Sequence, residues 1–240
     1  MKKINYLLGY PDLYIVQDDD YFKFSLDSVL LPNFVTLNKK ITKILDIGCG
    51  NAPIPLILST RTNASIIGVE LQTKIYDLAK ETIKLNNLDN QISIINQDIK
   101  DYYLKEETDT YDVITCNPPY FEVNNKSIFN KNIELSTARH EKTLDLETVM
   151  KISKKLLKNN GKLAIVNRPE RLLDILILMR NYNIEPKRIM FVYPKSDTPA
   201  NILLVEGAKN GKKGIKIEQP LYVYENGNYT KEILKYLERK

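Results

Sequence analysis

Short apolar runs alternate along the chain with longer stretches whose apolar positions recur every three to four residues. The runs are residues 43–47, 64–69, 92–95, 111–116, 162–166, 188–193 and 201–206. They are rich in isoleucine, leucine and valine and largely lack polar alternation, the pattern of strands buried on both faces of a sheet. Between them, Gln72 to Asn86 places Ile75, Leu78, Ala79 and Ile83 on one helical face. Asp145 to Leu157 does the same with Leu146, Val149, Ile152 and Leu156, and Asn159-Asn160-Gly161 stops it. Pro169 to Asn181 predicts a further helix. Strands alternating with helices predict a doubly wound α/β sheet.

The punctuation of the first strand carries the first chemistry. Lys43 to Ile47 runs into Gly48-Cys49-Gly50, and Pro53 and Pro55 suit the opening of a helix, where their missing N–H groups are not needed. Glycine at 48 and 50 removes side chains where backbone must pass close to a ligand. Pro53 stands where the dinucleotide fingerprint has its third glycine. The Asp46 carboxylate ahead of the turn also suits a cationic amino-acid group better than a pyrophosphate. The second strand ends in Glu70, where an acid can accept from both hydroxyls of a ribose. Leu71 follows it. The third strand leads to Asp98-Ile99, where the acid could accept from an adenine amino group or cap the next turn. Ser25 could cap a helix carrying Val29-Leu30-Leu31, although Pro32 blurs its extent. Asp27 reads equally as a first-turn acid and as a cofactor contact.

The fourth strand, Tyr111 to Cys116, is cut off by Asn117-Pro118-Pro119-Tyr120. Proline has no N–H for a ladder and pushes the residue before it out of the helical region. An amide, a carbonyl outside the ladder and an aromatic ring are thus expected together at the carboxyl end of a strand, where open α/β sheets bind ligands. Residues 121–142 have no clean periodicity and make a long connection of the kind that is functional or disordered. Ala138-Arg139-His140-Glu141 lies at its end, and a lone histidine there is more often structural than catalytic. Residues 207–216 are glycine- and lysine-rich and read as a flexible basic turn. Lys209, Lys212 and Lys213 could contact phosphates, or could be a solvated hairpin tip.

Composition narrows the setting. The 240 residues are 43% hydrophobic and 27% charged, ordinary globular proportions for one large domain spanning residues 1–240. Residues 1–40 are expected as an extension on the cofactor and substrate side, and 207–240 as a basic appendage. Two cysteines and one histidine are too few for a zinc site or a disulfide framework and fit a reducing cytoplasm. No apolar run approaches the roughly 20 residues that span a bilayer. The lysines at 2 and 3 lack the apolar core of a secretory signal after them. A net charge of +5 is compatible with nucleic acid without requiring it.

Acid-tipped strands at Asp46, Glu70 and Asp98, with Asn117 next, call for a ligand with an amino-acid tail, a ribose and an adenine. S-adenosylmethionine has all three. Asp46-Ile-Gly-Cys-Gly50 together with Asn117-Pro-Pro-Tyr120 resembles the class I methyltransferases that modify planar nitrogens. The stretch Phe22 to Leu31, Ala138-Arg-His-Glu141, the tail from Val205, Tyr222-Val-Tyr224 and Gly227-Asn-Tyr-Thr230 are similar to the tRNA adenine-N6 methyltransferases. That family methylates the adenine just 3′ of the anticodon in a valine tRNA. The resemblance implies a Rossmann-like, seven-stranded sheet, mostly parallel with the last strand antiparallel. It implies S-adenosylmethionine at Asp27, Asp46, Gly48, Gly50, Glu70, Leu71, Asp98, Ile99 and Asn117. Asn117, Pro118 and Tyr120 would be catalytic, and Phe121, Arg139, Lys209, Lys212 and Lys213 would hold the tRNA anticodon stem-loop. No metal and no membrane enter this reading, and a monomer is preferred over an oligomer that the sequence leaves open. Three alternatives stand beside it: glutamine methylation of a release factor, a catalytically silent RNA-binding module and DNA adenine methylation. The basic tail and the lack of an N-terminal helical domain disfavour the first, the full set of acids the second, and the chain length the third.

Overall fold

The computed structural model describes residues 1–19, 21, 25–118 and 144–237. The chain opens with an antiparallel hairpin, β1 (Lys2–Leu7) and β2 (Tyr10–Asp18). Helix α1 (Leu26–Phe34) follows, and then β3 (Lys43–Ile47), α2 (Pro53–Ser59), β4 (Ser65–Glu70), α3 (Thr73–Leu85) and β5 (Ile92–Asn96). Next come α4 (Ile99–Lys105), β6 (Tyr111–Cys116), α5 (Leu146–Leu156), β7 (Leu157–Asn167), α6 (Leu172–Asn181), β8 (Ile184–Tyr193) and β9 (Ile202–Lys209).

Seven long strands form the expected sheet in the order β8-β9-β7-β6-β3-β4-β5. All are parallel except β9, which runs antiparallel between β7 and β8. Two short strands extend the β8 edge, so among the described residues the sheet has nine strands rather than seven: β10 (Lys216–Ile217) and β11 (Leu221–Tyr222) each pair parallel with β8. The chain ends with a small hairpin, β12 (Tyr224–Glu225) and β13 (Asn228–Tyr229), and α7 (Lys231–Leu237).

Each face of the sheet carries its own apolar cluster. One holds Ile15 of β2, Leu30 of α1, Ile57 of α2, Ile83 of α3 and Ile233 of α7, all buried. The other packs α5 and α6 through Val149, Ile152 and Met179. The two ends of the chain therefore share a core with α1 and α2. The hairpin was not legible as strands, because Lys2 to Tyr6 are exposed and no buried face imposes alternation there. Its second strand is held by α3 instead: the Val16 N–H donates to Thr82 Oγ1 at 3.0 Å and the Tyr14 N–H to Asn86 Oδ1 at 2.9 Å.

The basic turn also starts later than expected, since residues 207–209 continue β9. A Cβ on Gly207 would sit 2.8 Å from Ile184 Cγ2 and 3.1 Å from Met179 Sδ, so this glycine serves close packing of α6 and β8 rather than a turn. Pro32 lies inside α1, near its carboxyl end. That end is held by outside donors. Arg61 donates to the carbonyls of Pro32 and Val35, and Arg188 donates to that of Phe34. Buried Glu206 accepts from the Thr36 N–H at 2.6 Å and the Thr36 hydroxyl at 2.8 Å.

Candidate active site

The carboxyl ends of β3, β4 and β6 meet at one point of the sheet edge. Asp46 pairs in register with Gly68 on one side and Thr115 on the other. Its side chain is fully buried. The Thr115 hydroxyl donates to Asp46 Oδ1 at 2.6 Å, while Oδ2 has no hydrogen-bond partner among the described residues. Burial, helped by the Glu70 charge and opposed by the Thr115 bond, pushes this carboxyl up to about 7. A buried acceptor left unpaired is costly, and a positive charge bound close above it would offset part of that cost.

Above Asp46 the glycine turn is tied to β4. The Gly48 and Cys49 N–H groups both donate to the Val69 carbonyl, at 2.9 and 3.1 Å. The turn needs left-handed backbone at Gly48 (φ +67°) and Gly50 (φ +56°), which glycine adopts without strain. Ala52 takes the same region at φ 71° as it enters α2. A Cβ on Gly50 would meet nothing within 4 Å, so the turn faces open space on that side.

Glu70 does two jobs. Its Oε2 accepts from the Gly50 N–H at 3.0 Å and its Oε1 from the Gln72 N–H at 2.8 Å, so it fastens the turn to the end of β4. Glu70 itself is 5% exposed, at the end of β4. Leu71 beside it is 40% exposed, an apolar surface at the same edge. Asn96 at the end of β5 donates to the carbonyls of Glu70 and Leu71, both at 3.0 Å. Asp98 caps α4, accepting from the Lys100 N–H at 2.8 Å, and Ile99 is buried. Of the two readings of Asp98, capping is the one its bonds express. Ser25 occupies the N-cap of α1 with extended backbone but makes no side-chain cap bond, and Asp27 sits half-buried in the first turn.

Asn117 leaves β6 one residue beyond the Ile47–Cys116 pair, which places it beside Gly48. Its Nδ2 donates to the buried Ser28 hydroxyl of α1 at 3.1 Å. Pro118 is buried. Cys49 and Cys116 are buried and free, and burial raises both thiols well above their ordinary range, so neither is poised as a thiolate. The sequence-predicted Tyr120, Phe121, Arg139 and His140 fall outside the described residues. Lys212 and Lys213 are exposed.

Lys209 is a correction. Its Nζ donates to Asp109 Oδ1 at 2.6 Å and to the Leu157 carbonyl at 2.7 Å, and the side chain is only 12% exposed. Because β9 is antiparallel, Lys209 lies past the starting ends of the parallel strands, opposite the edge that carries Asn117. Sequence reasoning also passed over Thr115, Asn96 and Ser28. Only the register of β3 with β6, the pairing of β4 with β5 and the docking of α1 against Asn117 reveal what those three hold.

The arrangement therefore sets a buried carboxyl at Asp46 beneath the glycine turn, the Glu70 carboxylate against the turn at the end of β4, and the Asn117 amide at the end of β6. The family model described as "Methyltransferase small domain" matches residues 26–179. A protein of Parabacteroides distasonis named "tRNA1(Val) (adenine(37)-N6)-methyltransferase" is 30% identical across 77% of this chain and 76% of its own length. A Bacteroides fragilis protein of the same name is 30% identical across 84% of this chain and 91% of its own. Among solved structures, a predicted O-methyltransferase from Agrobacterium tumefaciens superimposes with a TM-score of 0.69 at 17% identity. That match covers 88% of this chain and 95% of the other, a likeness of fold.

Proposed function

The chain belongs to the methyltransferase small domain family, and from that premise we propose that it methylates the exocyclic N6 of an adenine in tRNA, with S-adenosylmethionine as donor. The adenine is the one 3′ of the anticodon, position 37, of a valine tRNA. Relatives bearing that name match most of this chain. The observation that carries the reading is the register of β3 with β6, which brings Asn117 to the side of the glycine turn and of the unpaired Asp46 oxygen.

S-adenosylmethionine, when bound, supplies an electrophilic sulfonium methyl. Asp46, buried beneath the turn, would place negative charge under its amino end, Glu70 would hold its ribose hydroxyls, and Leu71 and Ile99 would flank its adenine. Gly48 and Gly50 let the backbone approach it. The rest is the work of residues 117–121. An aryl amine is a poor nucleophile because its lone pair is delocalised into the ring. The Asn117 side-chain oxygen and the Pro118 carbonyl each accept one amine hydrogen. Gripping both draws the nitrogen toward tetrahedral geometry and aims its lone pair along the sheet edge toward the glycine turn. Orientation and electrostatics suffice, and no strong base is needed. Tyr120 stacks on the base, assisted by Phe121, at roughly 1–3 kcal/mol per stacked base. Leaving the stack is cheaper in an anticodon loop than in a duplex. Arg139 takes a phosphate, and Lys212 and Lys213, which share the starting edge of the sheet with Lys209, take phosphates of a tRNA body that reaches round to that edge.

The test is incubation with labelled cofactor and bulk tRNA, followed by mass spectrometry of the nucleosides. N6-methyladenosine should appear with the wild-type protein. With Asn117→Ala the turnover should fall by about a hundredfold or more, as for loss of a group aimed at the transition state. Calorimetry should find its cofactor affinity within a few-fold of wild type. Normal turnover in that variant would overturn the assignment of Asn117.

A further inference from the structure

The two ends of the Asn117 amide are chemically opposite. The oxygen can accept a hydrogen from a substrate amine, whereas the NH2 group would present its own hydrogens to it. Rotation of the terminal amide interchanges them, and χ2 of asparagine is a broad, soft torsion. The acceptor reading of Asn117 thus requires a partner for the NH2 end. We infer that Ser28 is that partner: a positioning residue that takes the Asn117 Nδ2 hydrogen and so presents the amide oxygen to the substrate. The inference rests on the methyltransferase reading of Asn117.

The geometry is specific. Nδ2 donates to Ser28 Oγ at 3.1 Å across a sequence separation of 89. Ser28 is 5% exposed, so water does not stand in for its oxygen. The helix that carries it is held as a platform. The Ser28 N–H donates to the Ser25 carbonyl at 3.1 Å. Further along, the Asn33 side chain donates to the Val29 carbonyl at 3.0 Å and to the Tyr10 hydroxyl at 2.9 Å. Arg61 and Arg188 hold the carbonyls of Pro32, Val35 and Phe34. Residues 28 through 34 are all buried. Pro32 has no N–H to give the Ser28 carbonyl four residues earlier, so Ser28 is placed by the packing around it rather than by a ladder bond at its carbonyl. A serine at this point needs no helix propensity; it needs an oxygen of fixed place.

Three substitutions separate this from simple packing. Ser28→Ala removes the acceptor, Ser28→Cys keeps the volume with a weak acceptor, and Ser28→Thr keeps the hydroxyl with one extra methyl. Turnover at saturating cofactor and tRNA should rank serine and threonine together, with cysteine and alanine about tenfold lower. Cofactor affinity by calorimetry should stay within about twofold throughout, so the loss falls on kcat. A ranking by volume, with cysteine equal to serine and threonine impaired, would overturn the inference, as would an alanine variant with wild-type kcat. Should alanine unfold the helix, the cysteine and threonine pair still decides between the two rankings. An inactive wild-type protein would instead refute the methyltransferase reading itself.

Discussion

Asp46 shows how one buried atom links stability to binding. Its folded form keeps a proton up to about pH 7, because burial disfavours the charge more than the Thr115 bond favours it. The unfolded chain releases that proton in the ordinary carboxylate range. The folded state thus binds more protons in between, and the ligand-free protein loses stability as pH rises from about 4 to about 7. A cationic group bound within Coulomb range of the carboxyl favours the charged form and opposes the effect. Cofactor affinity should therefore climb as pH rises through about 7. Asp46→Asn removes both dependences: calorimetry from pH 5.5 to 8.5 should show an affinity that is flat with pH and roughly tenfold weaker at the alkaline end. Its melting temperature should fall less between pH 5 and pH 8 than that of wild type. A wild-type affinity independent of pH would remove Asp46 from the cation's site.

At the scale of elements, β4 and the glycine turn are packed as one piece. Gly68 lies beside Asp46 in register, and a Cβ there would stand 2.7 Å from Cys49 Sγ and 2.9 Å from Ile94 Cδ1. Cys49 belongs to the turn and Ile94 to β5, and neither can retreat far in a close-packed layer. Gly68→Ala should cost roughly 1–3 kcal/mol through overpacking, a fall of about 3–10 °C in melting temperature. It should also weaken the cofactor, because the displaced Cys49 carries Gly48 and Gly50 with it. Calorimetry showing unchanged affinity alongside a lowered melting temperature would mean that β4 and the turn move independently. Helix α1 is the second such device. Its amphipathic pattern is poor and its proline is internal, yet two arginines and Glu206 pin its end. Tertiary donors supply there what helix propensity does not.

Over the whole molecule, the antiparallel β9 decides which basic residues can meet a polyanion. Lys209 ends that strand as a largely buried cross-link between Asp109 and the Leu157 carbonyl. Lys212 and Lys213 follow it at the same edge of the sheet, where Lys187 Nζ donates to the Lys212 carbonyl, and their side chains are exposed. Replacing Lys212 and Lys213 with alanine should lower tRNA affinity and reduce the slope of log affinity against log salt by about 1.5. Lys209→Ala should leave that slope alone and lower the melting temperature. A salt slope unmoved by the double replacement would take the tail out of the interface. Among the described residues, no helix is long and apolar enough to cross a membrane.

Local patterning sufficed for what depends on near neighbours in the chain. The seven long strands, the helices at 73–85 and 146–156, and the proline-terminated strand that delivers Asn117 were all readable, since burial on both faces and helical periodicity are written within a few residues. The acids at strand tips were readable for the same reason, because a strand that ends must present its next residue at the edge. Other features were decided across the sheet. The place of β9 between β7 and β8, the Thr115 bond to Asp46, the Ser28 bond to Asn117 and the tether on Lys209 join residues far apart in sequence. Such contacts exist only once register and helix docking are set. Register is a collective outcome of burial over a whole strand, so no single position announces it.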